Sequence, residues 1–315
     1  MTPRHEDVTV GVDVGGTSTR IVVFSDVGEQ IDARTSATPV GGRALLDHLG
    51  DGITESVAVD SRRLTGVGVG IPGGVAVDGT VSMALNIGVE QPLALGPLLE
   101  SRLGVPVHVE NDVNAAALGA YVRLGAGVGS SLAYLSIGTG LAAGFVIGGE
   151  IVRGSHGAAG EIGHILLPHG HEPCQCGQVG CIETVASGRA LAARMRAAGI
   201  DGRADDLWSA ADAGHAAAIA IRDEAVAALA WCCQAVLLML DVDQIVIGGG
   251  VGIGLGPRLI DPITAALAER EQRSPFLASI GLSQRLITSP SGIEVGALGA
   301  DRSARLAYRV AESVT

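Results

Sequence analysis

The stretch that decides the fold is Gly11–Ile31, GVDVGGTSTRIVVFSDVGEQI, read beside Tyr134–Val152, YLSIGTGLAAGFVIGGEIV. In the first, an apolar strand (Val8–Val14) meets a Gly-Gly-Thr turn, and a second strand (Ile21–Phe24) returns. In the second, Ala133–Ile137 meets Gly138-Thr139-Gly140, and Ala143–Ile147 returns. Each copy then turns again, at Gly28 or Gly148-Gly149, into a third short strand. Two copies of one supersecondary unit predict two related α/β domains facing each other. Glycines let a backbone approach a ligand closely and aim its amides at an anion. Gly15 and Gly16, with the hydroxyls of Thr17 and Thr19, are therefore phosphate-binding candidates, and so are Gly138, Thr139 and Gly140. On opposite walls of a cleft they would clamp a polyphosphate. Asp13, at the end of the first strand, is a candidate Mg²⁺ ligand, directly or through water. A third cluster, Gly248-Gly249-Gly250, follows the apolar run Gln244–Ile247; Gly249 and Gly250 would admit a flat group such as adenine. Taken alone, each turn also reads as an ordinary glycine-rich hairpin.

The 315 residues suffice for two domains with a large core. A net charge of −12 speaks against nucleic acid as a partner. The N-terminal stretch MTPRHEDVTV has no signal-type apolar segment. The most apolar run, Val226–Leu240, is interrupted by Gln234 and is short for a bilayer, so it reads as a buried helix rather than a membrane span. The chain contains no lysine. A P-loop and a protein kinase each need one against phosphate, so both architectures are excluded. Any ATP must be held by amides, hydroxyls, arginine and metal.

Between the two hairpins, Val67–Ile71 ends in Pro72-Gly73-Gly74, and Asn86 follows in a loop. Val105–Val109 then runs into Glu110-Asn111-Asp112-Val113-Asn114 and a helix-forming AAALGAYVRLG. Asp112 thus falls at a strand C-terminus and a helix N-terminus, where the helix dipole favours its ionised form. A carboxylate so placed can take a proton from a substrate hydroxyl; the plainer reading is an N-cap.

Glu161–Glu183, EIGHILLPHGHEPCQCGQVGCIE, holds three of the five cysteines. Cys174, Cys176 and Cys181 are separated by one and then four residues, with Gly177 and Gly180 to turn the loop. Three thiolates and one imidazole complete a tetrahedral zinc shell and leave no site for water, so the ion would be structural. Spacing leaves His164 and His171 both open as the fourth ligand. Thiols in this spacing fit a reducing cytoplasm. Glu161 and Glu183 bracket the loop and would be presented to a polar ligand; solvated loop charges are the plainer reading. Leu191–Ala197, Ala216–Leu240, Pro257–Arg270 and Gly296–Ala311 read as framework helices, the last packing back on the first domain. Cys232 and Cys233 read as core filling.

These motifs together resemble the ROK family of sugar kinases and sugar-responsive repressors, built on the actin-like ATPase (ribonuclease H-like) fold with two domains around a nucleotide cleft. They are DVGGT (Asp13–Thr17), PGG (Pro72–Gly74), VENDVN (Val109–Asn114), SIGTG (Ser136–Gly140), GEIGH (Gly160–His164) and CQCGQVGCIE (Cys174–Glu183), in the family's order. The resemblance implies that His164, Cys174, Cys176 and Cys181 bind Zn²⁺. It implies Asp112 as catalytic base, and Gly73, Asn86, Asn111, Asp112, Glu161, His164 and Glu183 around the sugar. Implied cofactors are ATP and Mg²⁺, and the implied assembly is a homodimer or homotetramer. The implied activity is transfer of phosphate to the 6-hydroxyl of a hexose, glucose first, with N-acetylglucosamine or N-acetylmannosamine as alternatives. The repressor branch carries a helix-turn-helix; too few residues precede Asp13 for one, which favours the enzyme over a non-catalytic sugar sensor. Two positions depart from the pattern: Ser18 follows Thr17 where lysine often stands, and Ile182 and Thr184-Val185 stand where glucokinases often have aromatics. The expected domains are 1–113 with 297–315, and 114–296.

Overall fold

The computed structural model describes residues 6–59, 62–127, 129–290 and 295–314, with side chains as far as Tyr308. Met1–His5, the head of the stretch read above for a signal segment, lies outside the described residues. The chain divides into two compact units. One is Met1–Ala126 with Glu150–Ala158 and Gly292–Thr315; the other is Gly127–Gly149 with Ala159–Ser291.

The first unit opens with an antiparallel meander, β1 (Asp7–Val14), β2 (Ser18–Ser25) and β3 (Gln30–Ala37), followed by helix α1 (Gly42–Val57). Strand β4 (Arg63–Ile71) pairs parallel to β1. A two-stranded ribbon, β5 (Gly74–Val75) and β6 (Val81–Ser82), leads to α2 (Leu95–Leu103), β7 (Val107–Asn111) and α3 (Asp112–Arg123). The sheet order is β3-β2-β1-β4-β7. Its register sets Asp13 beside Gly70 and Gly70 beside Glu110.

Period-two patterning decides the two faces of this sheet. Val8, Val10, Val12 and Val14 of β1, with Val67, Val69 and Ile71 of β4, form a core with Leu45, Leu49 and Ile53 of α1 and Leu95 and Leu99 of α2. The opposite face of β4 is glycine at 66, 68 and 70. Gly66 and Gly68 lie against the C-terminal helix described below, and Gly70 against α3.

The second unit repeats the topology. Strands β8 (Ser131–Ile137) and β9 (Leu141–Ile147) form the hairpin, and a Gly148-Gly149 turn leads into the short β10 (Glu150–Ile151), with which the chain re-enters the first unit. After α4 (Glu183–Ala186), α5 (Gly188–Ala197), α6 (Ala204–Asp212) and α7 (Ala216–Leu240), strand β11 (Gln244–Gly248) pairs parallel to β8. Helices α8 (Gly249–Leu255), α9 (Pro257–Arg273) and α10 (Pro275–Ile280) follow, and β12 (Leu286–Thr288) pairs parallel to β11. In both units a hairpin is thus flanked by two further parallel strands, so the repeat read in the sequence is a repeat of topology. The third glycine cluster is not a loop: Gly248 ends β11 and Gly249 begins α8.

Among the described residues α7 is long and apolar enough to cross a membrane by length and composition. Here Ile221, Ala225, Leu229, Val236 and Leu237 are buried, and the helix packs on α4, α6 and α9. Cys232 and Cys233 are both enclosed; burial pushes the Cys232 thiol up to about 12 and holds that of Cys233 well above its ordinary value, as expected of core-filling thiols.

The final helix, α11 (Val295–Val314), packs on α3, β1 and β4. Its backbone runs against theirs. A β-carbon on Gly68 would lie 2.0 Å from the Ala300 carbonyl oxygen, and one on Gly11 2.1 Å from that of Ala297. Between α3 and α11, a β-carbon on Gly119 would meet Val295 O at 1.8 Å, and one on Gly299 would meet Ala115 O at 1.7 Å. This seam explains why α3 packs with the first unit rather than with the second, as a boundary at 113 would have it. Gly299→Ala therefore forces two helices apart rather than crowding a movable side chain. It is expected to cost about 3 kcal/mol or more, the upper end for overpacking. A urea midpoint within error of the parent's would contradict the seam.

Candidate functional site

In the first unit, parallel pairing brings the C-terminal ends of β1, β4 and β7 to one edge, the usual place for ligands in such sheets. Asp13 arrives from β1. Its carboxylate lies over the first turn of α11, where a β-carbon on Gly296 would fall 2.5 Å from it. Glycine there leaves the room that the carboxylate occupies. The Gly15–Ser18 turn follows. Gly16, Thr17 and Ser18 are exposed, and Asn86 reaches the turn, its β-carbon 3.9 Å from where one on Gly16 would stand.

Two of the expected phosphate contacts are corrected here. The Gly15 N–H is spent within the turn on Ser18 O, at 2.9 Å. Thr19 is fully buried; its hydroxyl meets that of Thr38 at 2.9 Å, and Thr38 in turn donates to Gly15 O at 2.7 Å. Thr19 braces the turn and does not face a ligand. Position decides this: Thr17 lies at the exposed tip of the turn, outside β2, and Thr19 lies inside the strand.

Asp112 opens α3 directly after β7. It is not the N-cap. Asn111 is, with its side-chain oxygen accepting from Val113 N–H at 3.0 Å and Asn114 N–H at 3.2 Å. The same side chain donates to Gly73 O at 3.1 Å, tying the Pro72-Gly73-Gly74 turn to the helix. Gly73 has φ of 100°, and a β-carbon there would stand 2.6 Å from Ser82 O. Asp112 Oδ1 also accepts from Val113 N–H, at 3.0 Å, so the half-buried Asp112 carboxylate shares the helix entrance with the Asn111 cap, where the dipole favours its charge.

Below this corner Glu110 is 4% exposed. Its carboxylate accepts from Asn111 N–H at 3.0 Å, Asn114 Nδ2 at 3.1 Å and Arg153 Nε at 2.9 Å. Burial works against its charge, but the His108 ring, Arg153 and Asn114 outweigh it and hold the carboxyl below its ordinary value. Glu110 sits in a motif singled out above; Arg153 sits in none, and no spacing marks it.

In the second unit the Gly138-Thr139-Gly140 turn repeats the first turn's economy. Gly138 N–H is spent on Gly140 O at 3.0 Å, and Thr139 is exposed at the tip. Gly188 N–H donates to Gly138 O at 2.8 Å, joining α5 to the turn. Gly249, with φ of 73°, abuts Ile137, so close that a β-carbon would meet its backbone at 2.6 Å. Gly249 and Gly250 thus open a helix beside the same turn.

The loop 161–183 gathers His164, Cys174, Cys176 and Cys181, whose ligand atoms all lie within 4.8 Å of one another. Cys176 Sγ and Cys181 Sγ are 3.6 Å apart, and Cys174 Sγ is 3.7 Å from His164 Nδ1. Zn–S bonds of about 2.3 Å put tetrahedral sulfurs about 3.8 Å apart, so the spacing and the soft donor set fit that ion. His171 is exposed and lies beside Glu172, at 3.5 Å, and the histidine that joins the three thiols in the cluster is His164. Burial, then the neighbouring thiols, push Cys181 up to about 12, whereas the Gln178 N–H and side-chain amide bring Cys176 down to about 6. His164 turns Nδ1 to the thiols and Nε2 toward Glu161, 3.9 Å away. Glu183 joins the cluster to the turn: Oε1 lies 3.3 Å from Cys174 Sγ, and Oε2 lies 3.3 Å from where a β-carbon on Gly140 would be. Ile182 and Val185, which stand where glucokinases often have aromatics, are buried in this unit.

The ROK family model matches residues 9–303. The chain belongs to the ROK family. It is 36% identical over 278 residues to a glucokinase of Halalkalibacterium halodurans, covering 81% of this chain and 83% of that one. A ROK hexokinase from Thermus thermophilus superposes with a TM-score of 0.82 at 29% identity, over 96% of this chain and 99% of that one. A ROK glucokinase from Streptomyces griseus, solved with glucose and AMPPNP, gives 0.74 at 30% identity, over 95% and 99%. The fold is the family's mixed α/β actin-like ATPase fold.

Asn111→Ala removes both cap hydrogen bonds and the tie to Gly73. It is expected to destabilise the ROK protein by about 1–2 kcal/mol, as loss of a strong N-cap does. Denaturant titration reads the loss; an unchanged midpoint would show that the cap is dispensable.

Proposed function

We propose that this chain is an ATP-dependent hexose kinase that phosphorylates the 6-hydroxyl of glucose, as the names of its relatives support. One observation carries the reading: the Asp112 carboxylate stands at a helix entrance on the edge where Asp13, Gly73 and Asn111 also lie.

In this reading Asp112 accepts the proton of the sugar hydroxyl while that oxygen forms its bond to the terminal phosphorus of ATP. The bond from phosphorus to the bridging oxygen breaks, and ADP leaves with the electron pair. Gly16, Thr17, Thr139 and Gly140 hold phosphate by amides and hydroxyls, without lysine; the Gly138 N–H, like that of Gly15, is spent within its turn. Gly249 and Gly250 admit the adenine. Asp13 would hold Mg²⁺, which when bound offsets phosphate charge. Glu161, His164 through Nε2, Glu183, Asn86, Asn111 and Gly73 would hold sugar hydroxyls. Much of the rate would then come from orientation and electrostatics. The four-ligand cluster is proposed to hold one structural Zn²⁺, with Nδ1 of His164 as ligand and Nε2 left for the sugar. The protein is proposed to work in the cytoplasm.

Asp112→Asn keeps the size of the side chain and removes the base. ADP release is expected to fall about 100- to 10,000-fold, with glucose affinity within about twofold. Assayed with glucose, N-acetylglucosamine and N-acetylmannosamine, the parent should prefer glucose; no ADP release with any sugar would favour a sensor. For the metal, elemental analysis is expected to give one zinc per chain, and Cys176→Ser to lose both zinc and glucose binding. Fully active protein without zinc would refute the staple.

A further inference from the structure

Arg153 lies in Glu150–Ala158, the short segment by which the chain returns to the first unit between two stretches of the second. At its head β10 packs on α3. From this segment Arg153 reaches Glu110 with two nitrogens, Nε at 2.9 Å and a terminal guanidinium nitrogen, both on the same oxygen. The other carboxylate oxygen takes Asn111 N–H and the Asn114 amide. His108 Nε2 is 3.9 Å away, beyond hydrogen-bond reach. Glu110 therefore grips the start of α3 from beneath, and Arg153 is the cation within bonding distance.

A buried carboxylate is tolerated only when paired; removing its partner leaves a charge that must protonate or turn toward water. Either response weakens the hold on Asn111 N–H and Asn114. Asp112 is the residue between them. A displacement of about 1 Å in a reacting group can cost about 100-fold in rate.

We propose that Arg153 is a positioning residue for the reaction: its ion pair with Glu110 holds the β7–α3 corner, and so the Asp112 carboxylate, in its working geometry. The inference rests on Asp112 as the base. Arg153 itself touches no reacting atom, and nothing in its sequence context marks it.

The full chain carrying Arg153→Met tests it in two ways. Turnover is expected to fall about 10- to 100-fold, with KM for glucose and ATP changed less than about threefold. Arg153→Lys, which keeps the charge without the fork, should recover part of that turnover. The double variant Glu110→Gln with Arg153→Gln removes both charges; its melting temperature should approach the parent's while turnover stays low. Amide hydrogen exchange gives the second readout: Asn111 and Asn114 should exchange faster in Arg153→Met than in the parent. Unchanged exchange there overturns the proposal whatever the activity. So does turnover within threefold of the parent, or turnover that returns in step with stability in the double variant. Failure of the base assignment looks different, because Asp112→Asn would then keep its activity while the exchange at Asn111 still responded to Arg153.

Discussion

The glycine-lined face of β4, with α11 laid backbone to backbone upon it, is the constraint on which the first unit depends. Gly66, Gly68 and Gly70 alternate with Val67, Val69 and Ile71, so one strand serves two unlike neighbours. The valine face is joined to α1 and α2 by apolar burial. On the glycine face, Gly68 takes the α11 backbone too close for any side chain, Gly66 takes the Tyr308 ring of the same helix, and Gly70 meets Ala115 of α3. Because α11 lies so near, its first turn can cradle Asp13 at Gly296, and Gly299 can take α3. The position of Asp112 follows, since Asp112 begins α3. Glycines that contribute no contact of their own thus settle where two carboxylates stand.

The second unit uses the same strand plan and closes its functional loop by other means. Residues 161–183 contain few apolar side chains that reach the core; Ile162 and Ile182 do, and most of the stretch between them is exposed. Such a segment cannot be ordered by burial alone. Four donor atoms lie within 4.8 Å of one another in it, the cluster proposed above to take an ion, and Glu183 joins that cluster to the Gly138–Gly140 turn. In each unit, then, a carboxylate beside a glycine turn is fixed by something other than its own hydrogen bonds to the turn.

Much of this was legible. The strands around both turns, the long helices and their burial followed from periodicity, with ends displaced by a few residues. Asp112 was rightly placed at a strand-to-helix junction. Its neighbour was the surprise: either Asn111 or Asp112 can cap a helix, and only the backbone geometry at Asn111 shows which does. Thr17 and Thr19 looked equivalent as hydroxyl donors, but Thr17 stays at the exposed turn tip while Thr19 enters β2 and is buried. The division at 113 failed for a similar reason, since a helix does not announce which sheet it will lie on.

From its sequence alone this chain declares two copies of a strand-turn-strand unit, a soft-ligand loop, a carboxylate at a helix entrance and the absence of lysine. These are matters of composition and of spacing over a few residues, and local geometry is enough to read them. Only the tertiary structure turned Thr19 inward, assigned α3 to the first unit and joined Arg153 to Glu110. Each of those choices pairs groups far apart in the chain or on opposite faces of one element. Strand register and helix seams made them, and neither is written in any short stretch of residues.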